Sequence, residues 1–472
     1  MSTSHSSRPD SGSFRDREGR IYLHSGRVFR GLSETALRNF HTLEGSKFYR
    51  RLADSGDIVG SRELPEGENP LPEYVRAQWS GFVEHDRVPV VSYPYEWTFS
   101  MLRDAAALQL KLLESALRED FTLKDATPYN IQFVNNRPVF IDIPSFEPLK
   151  PGEPWTGHRQ FCEMFLFPLM LQAYKGVHFQ PFMRASIDGV GVQMADGLFN
   201  KRDLLRKGVL GNVWLQAKLE RRYSGSSQDM RSNLKAAGFN KELILANVRK
   251  LRKLVGRLEW AHAESEWGDY ASFHNYSDAD HEKKESFITN CVATAKPKTV
   301  WDIGCNTWQF SRVAAKHCRQ VVATDIDHLA VERLYSDPDM PGNILPLVQN
   351  VADPSPNWGW RNLERRDLQH RSQPGMVLCL ALIHHVVISA NIPLAEFVGW
   401  LASLTPELVI EYVGREDDKV QTLLRNKEDQ YWDYSREFLE KQLGRYFDTR
   451  NQVALSEGRR QLYWCSRKDP PV

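Results

Sequence analysis

Between residues 102 and 117 the apolar positions Leu102, Ala106, Leu110, Leu113 and Leu117 recur at steps of three and four, which predicts a helix with one buried face. The run "FCEMFLFPLMLQAY" that begins at Phe161 is apolar nearly all round. It holds a proline and is too short to span a bilayer, so it reads as a buried helix. Upstream, "GRIYLHSGRVFRGLS" predicts two short strands about a Ser-Gly turn. "FTLKDATPYNIQFVNNRPVFIDIPSFEPL" predicts a loop, a strand, an Asn-Asn turn and a second strand. Residues 159 to 260 are mostly helical in pattern, interrupted by the polar stretch "RRYSGSSQDMRSN". From about residue 297 the pattern changes to strands alternating with helices. The strands are expected at 299–304, 320–325, 344–348, 375–381 and 407–413, and a closing pair, "TRNQVALS" and "RQLYWCSR", flanks a Glu-Gly-Arg turn. Strands separated by helices imply a parallel sheet covered on both faces, with the last pair forming an antiparallel edge.

The change of pattern places a boundary near residue 260. The expected layout is a polar tail over 1–18, an α+β domain over 19–260 and an α/β domain of Rossmann-like type over 261–472, consistent with a 472-residue chain too long for one core. A hydrophobic share of 41% and a charged share of 26% fit a soluble globular protein. The opening "MSTSHSSRPDSGSFRDREG" lacks the apolar centre of a signal peptide, so a cytoplasmic setting is expected. The six cysteines show no CxxC pair and no zinc spacing, which argues for a reducing compartment and against a disulfide framework or a bound metal. A net charge of +1 gives no global attraction to nucleic acid or to an anionic membrane. Residues 201–260 are the exception, with 15 Lys and Arg against 5 Asp and Glu. The helical spacing of Val248, Leu251, Leu254, Val255 and Leu258 favours a solvated basic face there over a nucleic-acid grip.

In an open parallel sheet a ligand binds outside the carboxyl ends of the strands. Asp302 closes the first expected strand, Gly304 and Asn306 follow in the turn, and Asp325 closes the second strand 21 residues after Gly304. That is the distance at which a carboxylate accepts ribose hydroxyls. Asp353, in "LVQNVADPS", follows the third strand, where a side chain could meet an adenine amino group. With the closing antiparallel pair, this segment resembles the class I S-adenosylmethionine methyltransferases. "VWDIGCNT", "CLALIHHVVIS", "NKEDQYWDY" and several upstream stretches resemble the NoeA-like family of bacterial methyltransferase-like proteins. The resemblance implies S-adenosylmethionine as cofactor, held by Asp302, Gly304, Asn306, Asp325 and Asp353. The expected reaction is methyl transfer to a small molecule or glycoconjugate, although the resemblance bears on the fold more than on the acceptor.

One position departs from the family pattern: Trp308 stands where a glycine is expected. An indole turned inward would block the cofactor and leave a non-catalytic binding protein; turned outward, it leaves the site intact. His384 and His385, at the end of the fourth strand, are candidate bases for a protonated nucleophile, or else pack around the cofactor. Glu411 and Tyr412 are weaker candidates for substrate contact, and Tyr270, Tyr276 and Lys283 for a lid. The Asn-Pro-Pro-aromatic motif of amino-group methylation is absent, and a nucleic-acid methyltransferase is the least favoured reading. Upstream, Asp125 and Asn130 have the D-x-x-x-x-N spacing of a kinase catalytic loop, with Asp142 twelve residues later. A kinase-like remnant is one expectation for that domain, although no Gly-rich phosphate loop accompanies it.

Overall fold

The computed structural model describes residues 9–223, 240–260, 278–425 and 427–468. They divide into two compact units, one within 1–133, 137–261 and 357–365, the other within 134–136, 262–356 and 366–472.

In the first unit, β1 (Gly19–His24), β2 (Arg27–Leu32), β3 (Ser61–Glu63) and β4 (Gly81–His85) form an antiparallel sheet in the order β1-β2-β4-β3. Ser25 and Gly26 take positive φ in the turn between β1 and β2, which suits the twist of a two-residue hairpin. Part of the stretch expected as tail is tied to β1, through a bridge of Pro9 with Tyr22 and two hydrogen bonds. The Asp10 N–H donates to the Ile21 carbonyl at 2.8 Å, and the Ile21 N–H donates to Ser13 Oγ at 2.9 Å. Backbone groups at the edge of β1 would otherwise lack partners. Residues 1–8 lie outside the described residues.

The helix Phe99–Arg118 buries all five of its periodic positions, and Thr98 caps it by accepting from the Met101 N–H. Two short antiparallel pairs follow, β5 (Phe121–Leu123) with β8 (Phe146–Pro148), and β6 (Ile131–Val134) with β7 (Arg137–Phe140). The helical run Cys162–Lys175 is buried through Gln172, and among the described residues no helix is long and apolar enough to cross a membrane. The basic helix Lys241–Val255 packs on Phe99–Arg118 through Ile244, Leu245, Val248, Leu251 and Val255. Its cations are partly consumed internally, because Arg249 and Arg252 both pair with Glu114. Most of "RRYSGSSQDMRSN" lies outside the described residues.

In the second unit a seven-stranded sheet is built from β9 (Thr299–Ile303), β10 (Gln320–Asp325), β11 (Ile344–Val348), β12 (Met376–Cys379), β13 (Glu407–Val413), β14 (Phe447–Leu455) and β15 (Arg460–Arg467). The order is β11-β10-β9-β12-β13-β15-β14, with the first five parallel and the last pair antiparallel. This is an open Rossmann-like order with an antiparallel edge, as expected. β9 to β13 are buried along almost their whole length, as strands covered on both faces must be. The edge strand β14 is exposed over most of its length and carries Asp448, Arg450 and a register shift at Thr449–Asn451, features that discourage pairing with a further strand. The strand order reverses between β9 and β12, and a ligand crevice opens at such a reversal.

Candidate functional site

A cavity of about 500 Å³ opens at that reversal, within the range of small-molecule sites. Its wall is made from strand carboxyl ends and the turns that follow them. Gly304 turns the chain out of β9 at φ +74, where a side chain would be strained and a Cβ would lie 3.0 Å from Leu382 Cδ1. The Gly304 and Cys305 amides both donate to the Thr324 carbonyl, at 2.8 and 3.0 Å, which ties the turn to β10.

Asp302, Gly304, Asn306 and Asp325 all line this cavity. Asp302 is buried and accepts a 2.5 Å hydrogen bond from Ser311 Oγ. Burial pushes its carboxyl up to about 6, opposed by that hydrogen bond and by the Lys284 ammonium. Asp325 accepts from the backbone N–H of Asn306 at 2.8 Å and of Asp327 at 2.9 Å. Its carboxyl is also raised by burial against the pull of these amides. Asp353 is exposed and lies outside the wall, because the chain folds back at an Asn350–Asp353 bridge. Gln349, one residue beyond β11, lines the cavity instead, and its Oε1 is buried with no hydrogen-bond partner among the described residues.

The two histidines separate. His385 lines the cavity, whereas His384 lies behind it, 1% exposed, with neither ring nitrogen hydrogen-bonded among the described residues. Consecutive residues on a helical turn point about 100° apart, so only one of such a pair can face a given wall. Burial and, secondarily, the Lys419 charge lower His385 to about 4. Its imidazole is therefore neutral at pH 7, an acceptor of modest basicity rather than a base poised near neutrality.

Trp308 has φ +53 and precedes the helix Gln309–Ala315. Its indole packs on the apolar core of the unit and is not part of the cavity wall. Replacing Trp308 with glycine should therefore leave S-adenosylhomocysteine affinity within about twofold. Relief of the left-handed conformation, about 1–2 kcal/mol, roughly offsets the packing that the indole supplies. Calorimetry on the variant checks this, and markedly tighter binding would show that the indole does obstruct.

Pattern reading did not single out four further wall residues: Lys284, Lys419, Arg460 and Gln349. Lys284, on the helix Asp278–Ala295, is 3% exposed and donates to Glu411 Oε2 at 2.6 Å. Glu411 is fully buried behind the wall, its other oxygen 3.4 Å from Arg460 Nη1, and Arg460 Nη2 lies 2.7 Å from Asp417 Oδ2. Tyr412 is buried as well, and neither it nor Glu411 reaches the cavity. Lys283 is exposed beside Asp280, and Tyr270 and Tyr276 lie outside the described residues.

In the first unit Asp125, Asn130 and Asp142 do come together. Asn130 Nδ2 donates to Asp142 Oδ2 at 3.4 Å, Arg30 Nη1 donates to Asp142 Oδ1 at 2.8 Å, and the Asp142 charge helps burial to raise Asp125. Both oxygens of Asp142 are thus taken by protein donors, and among the described residues no group of three or more acids, histidines or cysteines could hold a metal.

No known family profile matches the chain. Among solved structures it is similar to the N-methyltransferase NodS of Bradyrhizobium japonicum WM9, at 10% identity over 41% of this chain and 99% of that one, with a TM-score of 0.29. It is also similar to magnesium protoporphyrin IX methyltransferase from Synechocystis PCC 6803 with bound S-adenosylhomocysteine, at 15% identity over 40% of this chain and 84% of that one, with a TM-score of 0.29. Among curated proteins it is 31% identical to nodulation protein NoeA of Rhizobium meliloti strain 1021, over 97% of this chain and 96% of the relative. At that identity over nearly the full length of both proteins, the chain belongs to the NoeA family.

Proposed function

We propose that the chain is a class I methyltransferase that uses S-adenosylmethionine and acts on a small molecule or glycoconjugate. One observation carries this reading: Asp302, the Gly304 turn and Asp325 converge on a single cavity where the strand order reverses. Asp325 suits the ribose hydroxyls, since its carboxylate can accept further hydrogen bonds beside the two backbone amides it already holds. Gln349 suits the adenine amino group better than Asp353 does, because it lines the cavity and its Oε1 lacks a donor among the described residues. Asp302 suits a cationic amine.

The cofactor's sulfonium supplies an already activated methyl group. What the protein then contributes is alignment and acceptance of a proton. His385, neutral at pH 7, can accept a hydrogen bond from the acceptor's O–H or N–H and hold the lone pair in line. With a proton affinity near 4 it takes that proton only as the nucleophile becomes acidic on methylation.

Calorimetry with S-adenosylhomocysteine tests the reading, and a wild-type protein that gives no heat would refute it. The pH dependence is a sharper check. Asp302 holds a proton up to about 6 against an ordinary 3.8. The folded state therefore binds that proton more tightly than the unfolded chain, and this contribution to stability fades as pH rises through about 6. Cofactor affinity should run the other way, reaching a plateau above that value and falling about tenfold per pH unit beneath it. Asp302→Asn should flatten the profile.

A further inference from the structure

The cavity wall is sorted by charge. Its acids, Asp302, Asp325 and Asp327, all belong to the ends of β9 and β10. Its lysines and arginine are Lys284, Lys419 and Arg460, and the last two stand with His385, Val386, Ser389 and Leu423 around the ends of β12 and β13. In the sheet β9 separates β10 from β12, so the acids and the pair Lys419 and Arg460 lie at different strand ends, with Lys284 beside Asp302.

The cations divide further. Lys284 acts on Asp302, which places it with the half assigned to the cofactor. Lys419 acts on both histidines and Arg460 on His384, while Arg460 also shares the Glu411 carboxylate with Lys284. Arg460 is 4% exposed and is gripped from behind by Asp417 through Nε at 2.8 Å and Nη2 at 2.7 Å. Its Nη1 also lies 3.4 Å from Glu411 Oε1, so the guanidinium is held in place at the cavity wall and has little side-chain freedom left to lose on binding. The neighbouring Val386, Ala390 and Leu423 lower the local polarity and strengthen any charge contact made there.

We propose that the end of the cavity formed by Lys419 and Arg460 binds an oxyanion carried by the methyl acceptor: a carboxylate, phosphate or sulfate group. This rests on the methyltransferase reading above and narrows its substrate to an anionic one. The bound oxyanion would set the distance from the acceptor's nucleophile to His385 and to the transferred methyl, and uncharged acceptors would lose that anchor.

The test uses the full-length protein saturated with S-adenosylhomocysteine and titrated with sodium phosphate, sulfate or acetate at constant ionic strength, with chloride as the reference. The readout is thermal unfolding. Phosphate or sulfate should raise the melting temperature beyond chloride. Lys419→Gln should weaken that effect about tenfold, the loss of one charge-assisted contact. Lys419→Arg should keep it. S-Adenosylhomocysteine affinity should stay within about twofold in both variants. The proposal fails if the wild type answers all anions as it answers chloride, or if Lys419→Gln leaves the phosphate effect intact. It also fails if that variant loses S-adenosylhomocysteine instead, which would assign these cations to the cofactor's own carboxylate. The same titration without S-adenosylhomocysteine separates the two readings: a wild type that binds phosphate but not the nucleoside keeps the anion site and loses the methyltransferase.

Discussion

Asp325→Ala should weaken S-adenosylhomocysteine binding by about 100-fold or more. Two hydrogen bonds from ribose hydroxyls to a carboxylate are worth about 1.5–3 kcal/mol each, and each 1.4 kcal/mol is a factor of ten. The carboxylate also anchors the turn itself, because Asn306 sits at φ +41 with its N–H on Asp325 Oδ2. Removing it takes away both the hold on the ribose and the shape of the loop. Asp325→Asn separates these contributions, since it keeps one acceptor oxygen and loses the charge. It should bind more weakly than wild type and better than Asp325→Ala. Calorimetry on the three proteins reads the order, and equal affinities would remove Asp325 from the site.

Glu411→Gln should destabilise the second unit by about 3–5 kcal/mol, the cost of leaving buried charge without its partner. Lys284 and Arg460 both face this carboxylate, and Lys284 is already drawn below its ordinary 10.5 by burial, with Glu411 the main force holding it up. Without Glu411 the ammonium loses that support and discharges at a lower pH. The deficit of the variant should therefore shrink as pH rises toward the ordinary lysine range. The double variant Lys284→Met, Glu411→Leu should recover most of the loss, because an apolar pair of similar volume is no worse than the buried ion pair it replaces. Urea unfolding at two pH values measures all of this. A Glu411→Gln protein as stable as wild type would mean that the carboxylate does not hold the two cations.

The sheet was legible in the sequence because mostly apolar central strands are separated by helical stretches and the closing pair flanks a Glu-Gly-Arg turn. Asp302, Gly304 and Asp325 were legible because their spacing is fixed by one strand-turn-helix-strand unit. The cations of the cavity wall were not. Lys284 lies within "DADHEKKESF", where a buried lysine looks like its exposed neighbour Lys283. Arg460 comes from a strand 49 residues beyond Glu411, and no local pattern announces so distant a pairing. Asp353 stands out in the sequence because an acid after a strand is conspicuous, yet the backbone folds back before reaching it, and nothing local marks Gln349. Trp308 was ambiguous because the direction of a side chain at positive φ depends on the register of the following helix, which periodicity leaves open by several residues.

The closing hairpin does more than end the sheet. β15 pairs with β13 along its length, Val413 opposite Arg460 and Glu407 opposite Ser466, and its first residue is a cation of the cavity wall. A protease cut in the stretch between these strands, followed by loss of the hairpin, would take Arg460 from the wall and Leu455 and Leu462 from the core beneath β9 and β12. Such a clipped protein should unfold at a lower temperature than the intact chain, because the apolar face those leucines cover would meet water.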